Sequence, residues 1–501
     1  MLWRNTADIE QQLVRTRPGL TQPSVSFEAL DQFSSENYQQ LVTSMISDLS
    51  SAVLGNSHVA EIPLLKLSTG GCDNKSSRVF QESSGSLWEP VENSLSKHTS
   101  RQRAAVPSPS NFSISAVEPL HYLGIAPTVQ SAQLLQDFLK IVSKYAMSID
   151  GNASPNFYND YWVPWSVKSP LLAHLGILTA AIWQAEAQKI PSGQSPIALH
   201  YKVKSIELLN KMLENRNSAT STEAIAAVVS LLVNEWFWLN RDIVQRHMAG
   251  LKVMIRLRGG LDELGTNGFP RKLVLHNDYN VACSYEIEPT FLHDVSARPE
   301  HPVEMSIPFV VSEREFGSCA EHLQIGKETA AILDDMRFLF LALIKHVEDD
   351  TREEEQRRLI TTAKWVRDRI MSLPEGSEVD SPLASDHIYR SCRIAALIYS
   401  KAIVERTPLS RVCTPQYLNL LWGSMWQVKL SRWKQTPGIF FFVLASVLSA
   451  AEDAPHGRFT KAMFRTTTSF IGLDYFELID AALMALVKLQ RWLRTGGGGN
   501  M

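Results

Sequence analysis

From Pro127 onward apolar residues recur at intervals of three and four, the spacing that lines one face of an α-helix. Leu134, Phe138, Ile141, Val142 and Tyr145 predict a first amphipathic helix. After Ser169-Pro170 a second carries Leu172, Leu175, Ile177, Leu178, Ile182 and Trp183, apolar enough to be buried nearly all round. Ser195-Pro196 opens a third, through Tyr201, Leu208, Leu209 and Met212, and Thr220-Ser-Thr-Glu223 reads as a capping box ahead of Ile225, Val228, Val229, Leu232 and Trp236. Short breaks between these helices imply antiparallel neighbours.

The sharpest pattern lies at His247 to Gly265. Val244, Met248, Leu251 and Ile255 share a face, Arg256 and Arg258 occupy the last turn where cations suit the helix dipole, and Gly259-Gly260 supplies the positive φ of a left-handed cap. Asp262 then starts a short second turn. Phosphate-binding glycine loops precede a helix N-terminus, whereas this pair follows a C-terminus, so Arg258-Gly-Gly260 predicts a structural corner rather than an anion cradle. His247 has no histidine or carboxylate one turn away and reads as a packed helix residue. Asn277-Asp278 is expected to cap the segment that follows it.

Periodicity fades over 285–324, which predicts an irregular surface excursion. It holds His293, Asp294, Glu300, His301 and Glu304, in no spacing that suits zinc. Helical pattern resumes near Ile325. Elements are predicted through Ile332 to Val347, over Glu353 to Met371 with Leu359, Ala363, Val366 and Ile370 inward, over Ile388 to Val404, over Tyr417 to Val428, over Ile439 to Ala451, and over Phe470 to Leu493. No strand is predicted in the ordered part. The chain thus reads as all-α: a multi-helix bundle in two halves, 116–284 and 325–495, behind a disordered, low-complexity tail at 1–115 and ahead of a flexible tail at 496–501. In the N-terminal tail, an apolar patch at Tyr38 to Leu54 and a mildly basic run at Lys97 to Arg103 stand out.

Composition narrows the function. Of the residues 45% are hydrophobic and 20% charged, ordinary for a globular protein, and a net charge of -3 offers phosphate no global attraction. The most apolar run, Ile439 to Ala451, is too short for a membrane span of about twenty residues. Five scattered cysteines, none in a Cys-x-x-Cys pair, suit buried reduced thiols. Enzyme motifs with a nucleophile elbow, a zinc-binding His-Glu-x-x-His or a phosphate loop are missing, and Asp334-Asp335 lacks the Asp-Asp-x-x-Asp/Glu spacing that holds magnesium. No catalytic, cofactor or metal residue is assigned. The aromatic stretch Asn156 to Trp165 reads as a plug at the end of a bundle or as a ligand platform, and Tyr161, Trp162 and Trp165 are the candidate wall of a ligand or partner pocket.

His247-x-x-Gly250, Arg258-Gly259-Gly260-Leu261 with Asp262, Leu264-Gly265 and Asn277-Asp278 together resemble the fungal-specific transcription factor domain, the helical effector region of binuclear zinc cluster regulators. The likeness runs over about 120 to 495, weakens between 285 and 325, and takes in the Trp433 to Gly438 entry to the last apolar helix. It implies a nuclear transcriptional regulator of a metabolic or secondary-metabolite gene set, with a protein partner (a DNA-binding regulator or the transcription machinery) and a small-molecule effector. The zinc cluster of such regulators needs six closely spaced cysteines, and only Cys72 precedes Cys283. Contact with DNA, direct or through a partner, is therefore left open, as is the alternative of a helical small-molecule binder or biosynthetic enzyme reusing the fold.

Overall fold

A computed structural model describes residues 120–496 apart from 121, 146, 152–161, 188–189, 191–193, 238–240, 265–267, 294–298, 350–352, 375–382, 384, 453 and 455–456. The expected N-terminal tail, with the patch at Tyr38 to Leu54 and the run at Lys97 to Arg103, lies outside these residues, as do 497–501 of the expected C-terminal tail, whose first residue, Gly496, ends a helix. Every regular element among the described residues is a helix. The described residues fall into two compact units, one formed by 120–141 with 162–208, the other by 142–151 with 209–496.

In the smaller unit, helix Val129–Tyr145 buries Leu134 and Phe138. Helix Pro170–Ala187 starts where Ser169 Oγ accepts the Leu172 amide at 3.0 Å, and Leu172, Leu175, Ile177 and Leu178 are buried. Helix Pro196–Leu213 starts in the same way on Ser195, and Tyr201 on it shares a hydrogen bond of 2.8 Å with the Ser131 hydroxyl. A hydroxyl at each start satisfies an amide that the helix leaves orphaned.

In the larger unit, helix Thr222–Phe237 packs along Arg241–Arg258 and against Phe269–Tyr285, which in turn packs on Phe476–Gly496. The cap of the first sits one residue later than the pattern suggested: Ser221 Oγ, not Thr220, accepts the Ala224 amide at 3.2 Å. Helices Lys327–Asp349, Glu353–Ser372 and His387–Glu405 form a second packed set. Leu359, Ala363, Val366 and Ile370 are the buried residues of Glu353–Ser372, and its glutamates pair with arginines one turn on. Where one terminal helix was expected over Phe470 to Leu493, there are two, Gly457–Asp474 and Phe476–Gly496, which meet at Tyr475.

Helix Pro437–Ala445 is the centre of this unit, with all nine residues buried; the expected helix to Ala451 stops here and continues as turns. It explains why 285–324 departs from the expected surface path. Ser306 to Val310 are buried, Phe309 stacks on Phe340 at 4.2 Å, and Tyr399 meets both rings edge-on while donating from its hydroxyl to Phe442 O at 3.0 Å. A non-helical segment can fill a core with single aromatic residues that leave no period in the sequence.

The backbone of that segment approaches the central helix at Gly438, where a Cβ would lie 2.2 Å from Ser306 O and 2.6 Å from Met305 O. Gly438→Ala is expected to lower the denaturant midpoint, at a cost of about 1–3 kcal/mol from overpacking against backbone that has little room to yield. Gly423, exposed within helix Pro415–Met425 and with nothing near its missing Cβ, is expected to behave oppositely: Gly423→Ala gains roughly 0.5–1 kcal/mol of helix propensity in the same titration.

Candidate functional site

Of the candidate pocket residues, Tyr161 lies outside the described residues. Trp162 precedes helix Val163–Lys168, with Pro164 in its first turn and the Ser166 hydroxyl donating to Trp162 O at 2.8 Å. Three-residue spacing brings Trp162 and Trp165 edge to face, with centroids 5.4 Å apart and planes at 77°. Val163, Pro164, Ser166 and Val167 are buried whereas both tryptophans are half-buried, so each keeps part of its ring at the surface.

The corner residues are built as one piece. His247 and Gly250 are buried on the inner side of Arg241–Arg258, Gly259 and Gly260 take φ of +117° and +116°, and the Gly260 amide closes on Ile255 O at 2.9 Å. A 3-10 turn follows at Asp262–Leu264. Arg258 ties the corner to the preceding helix: Nη1 donates to Thr220 O at 3.0 Å and to Thr222 Oγ1 at 3.1 Å, and Nε donates to Glu263 O at 3.3 Å. The C-terminus of one helix is thereby pinned to the N-terminus of the one before, which fixes them as antiparallel neighbours.

Asn277 and Asp278 do not cap a segment from outside a helix. They sit inside Phe269–Tyr285, buried, and Asp278 accepts the amides of Thr290 at 2.9 Å and Phe291 at 2.7 Å. Beside it, His293 Nε2 donates to Asp480 Oδ2 at 2.6 Å, both side chains more than nine-tenths buried, and the Tyr279 ring meets the imidazole edge-on at 5.8 Å. Burial pushes the Asp278 carboxyl up to about 6 against the opposing pull of those two amides. Burial also raises Tyr279, helped by the Asp480 and Asp278 charges, and raises Cys283. This cluster of ionisable groups was hidden in the sequence because 187 residues separate His293 from its partner.

Other charged candidates have structural partners. Asp334 accepts the amides of Phe316 and Gly317 at 2.8 Å each, and Asp335 pairs with Arg369 at 3.0 Å. Glu304 bonds His322, His301 Nδ1 faces Pro299 O at 2.8 Å, and Asp294 lies outside the described residues. Lys461, which drew no attention in the sequence, is fully buried with Nζ 4.8 Å from the Tyr285 ring centroid and 3.7 Å from Glu452 Oε1. Among the described residues no three His, Cys, Asp or Glu side chains are placed to hold a metal ion, and no helix is long and apolar enough to cross a membrane.

The helices from Val129–Tyr145 to Phe269–Tyr285, with the corner among them, lie in a stretch similar to a known family. Residues 133–298 match the fungal specific transcription factor domain. The match covers about a third of the chain and contains the tryptophan pair, the corner and the Asp278–His293 cluster. No curated protein and no solved structure matches the chain. Within the matched segment Arg258 makes the testable contact: a lysine offers a single nitrogen that cannot serve Thr220 O, Thr222 Oγ1 and Glu263 O together. Arg258→Lys is expected to cost about 1 kcal/mol in chemical denaturation with unchanged helix content by circular dichroism.

Proposed function

We propose that the protein is a transcriptional regulator acting in a fungal nucleus on a metabolic or secondary-metabolite gene set, and that its helical body is the part that senses a small molecule or a partner. The match of 133–298 to the fungal specific transcription factor domain carries this reading. The sequence holds no six closely spaced cysteines; in this reading a DNA-binding partner or the transcription machinery brings the regulator to its promoters, and direct contact with DNA is left open. The body works without catalysis in this reading: the carboxylates of buried Asp278 and half-buried Asp334 each hold two backbone amides and Asp480 holds His293, which is a structural use of groups that an enzyme would turn toward substrate.

Trp162 and Trp165 supply the recognition surface in this reading. Half-buried indoles combine a rigid apolar face with little entropy lost on binding, and a ring pair held edge to face suits a flat apolar effector or a partner's side chain.

Tethering the full chain to an unrelated DNA-binding module beside a reporter tests the function. Output is expected to change severalfold, and alanine at both Trp162 and Trp165 is expected to remove that change while leaving the unfolding midpoint within about 1 kcal/mol of the parent. An unchanged reporter, with no transcriptional protein recovered from nuclear extract on the full chain, would favour the alternative of a small-molecule binder or biosynthetic enzyme built on the same helices.

A further inference from the structure

Arg337 lies inside helix Lys327–Asp349 and is 7% exposed, an uncommon place for a side chain that carries a permanent charge. Its position is set by local contacts. Nη1 donates to Arg314 O at 2.6 Å, and the guanidinium lies over the Phe316 ring with Cζ 4.2 Å from the centroid. Phe316 is fixed in turn, since it is buried and its amide donates to Asp334 Oδ1 at 2.8 Å, one turn before Arg337 on the same helix. These contacts use one terminal nitrogen and one face of the guanidinium. The remaining edge is unused: Nε and Nη2, the two nitrogens along one side of the group, are both buried and neither has a hydrogen-bond partner.

That edge is the side of an arginine that takes a planar oxyanion through two parallel N–H···O bonds. Leaving it unmet is costly, because the charge has left water without gaining an acceptor on two of its nitrogens. The carboxylates beside it on the helix are committed elsewhere. Asp334 gives both oxygens to the Phe316 and Gly317 amides, and Asp335 pairs with Arg369. Glu315, exposed just before Phe316, acts on Arg337 only through its charge. No second cation is fixed here: Arg314 is exposed, and burial lowers the His301 imidazole, the Arg337 charge adding to that effect, so His301 is neutral at neutral pH. One positive charge with Asp334 and Glu315 nearby suits a monoanion, whereas a phosphate dianion would meet two carboxylates with a single cation to balance it.

We propose that the free edge of Arg337 is a binding site for a small carboxylate, whose oxygens take the Nε and Nη2 hydrogens while the Phe316 ring covers the face of the guanidinium. The way in is the turn from Glu313 to Gly317, where every residue except Phe316 is exposed. The fork recognises the carboxylate group, so organic acids are the class of ligand it takes. The site lies outside the matched residues 133–298, and it depends neither on the tryptophan pair nor on the transcriptional reading.

Denaturant unfolding of the full chain in sodium acetate and in sodium chloride at equal ionic strength tests the site, with Arg337→Met as the reference for general salt effects. In the parent chain, free acetate at about ten times its Kd is expected to raise the folded-to-unfolded ratio about tenfold beyond chloride. Arg337→Met is expected to lose that difference, and Arg337→Lys, which keeps a charge without the fork, to lose most of it. A parent chain that unfolds alike in the two salts, an acetate gain that Arg337→Met retains, or an Arg337-dependent gain that is larger in inorganic phosphate than in acetate would overturn the assignment. If Arg337→Met fails to fold, the parent chain and Arg337→Lys decide the question.

Discussion

A helix enclosed by protein on every side has no water to satisfy its polar groups, and this one constraint organises the larger unit. Helix Pro437–Ala445 meets it by having almost no polar side chain at all. Helix Phe269–Tyr285 meets it the costlier way, by carrying Asn277, Asp278, Asn280 and Ser284 inward and giving each a partner. Each unsatisfied group would cost several kcal/mol in such surroundings, so the partners are a condition of the fold rather than an ornament to it. Irregular backbone supplies several of them. Thr290 and Phe291 bring amides to Asp278, while Ser306 closes over Gly438.

The same constraint decides what could be read from the sequence. Elements with one wet face declared themselves: Leu359, Ala363, Val366 and Ile370 give both the helix and its inward side, and Arg258-Gly-Gly260 gives its corner, because water on one side enforces a period. Phe269–Tyr285 has no such contrast, since its interior residues include an aspartate and two asparagines, and it could not be distinguished from a connecting segment. Phe309 and Phe316 carried no signal either, because an irregular path buries aromatic residues without spacing them. Three hydroxyls in a row at Thr220 to Thr222 predict a cap but not which hydroxyl makes it; Ser221 Oγ accepts the Ala224 amide, while Thr222 Oγ1 accepts from Arg258.

For the candidate site residues, legibility ended at the first long-range contact. Aromatic density pointed to Trp162 and Trp165, and their mutual packing is a local matter of three-residue spacing. The Asp278, His293 and Asp480 cluster and the buried Lys461 depend on helices that are far apart in the chain, and nothing in a single sequence joins them. An isolated His293 among polar neighbours reads as a solvated loop residue; only the approach of Phe476–Gly496 turns it into a buried donor.

The match to the fungal specific transcription factor domain ends at residue 298, yet helix Phe269–Tyr285 inside it rests on Phe476–Gly496 outside it. A boundary drawn by homology is thus not a boundary of cooperative folding. Excised at that line, the segment would present Tyr279 and Cys283 to solvent along with the Cys283 carbonyl now satisfied by Gln490, and the unit of inheritance would be smaller than the unit of stability.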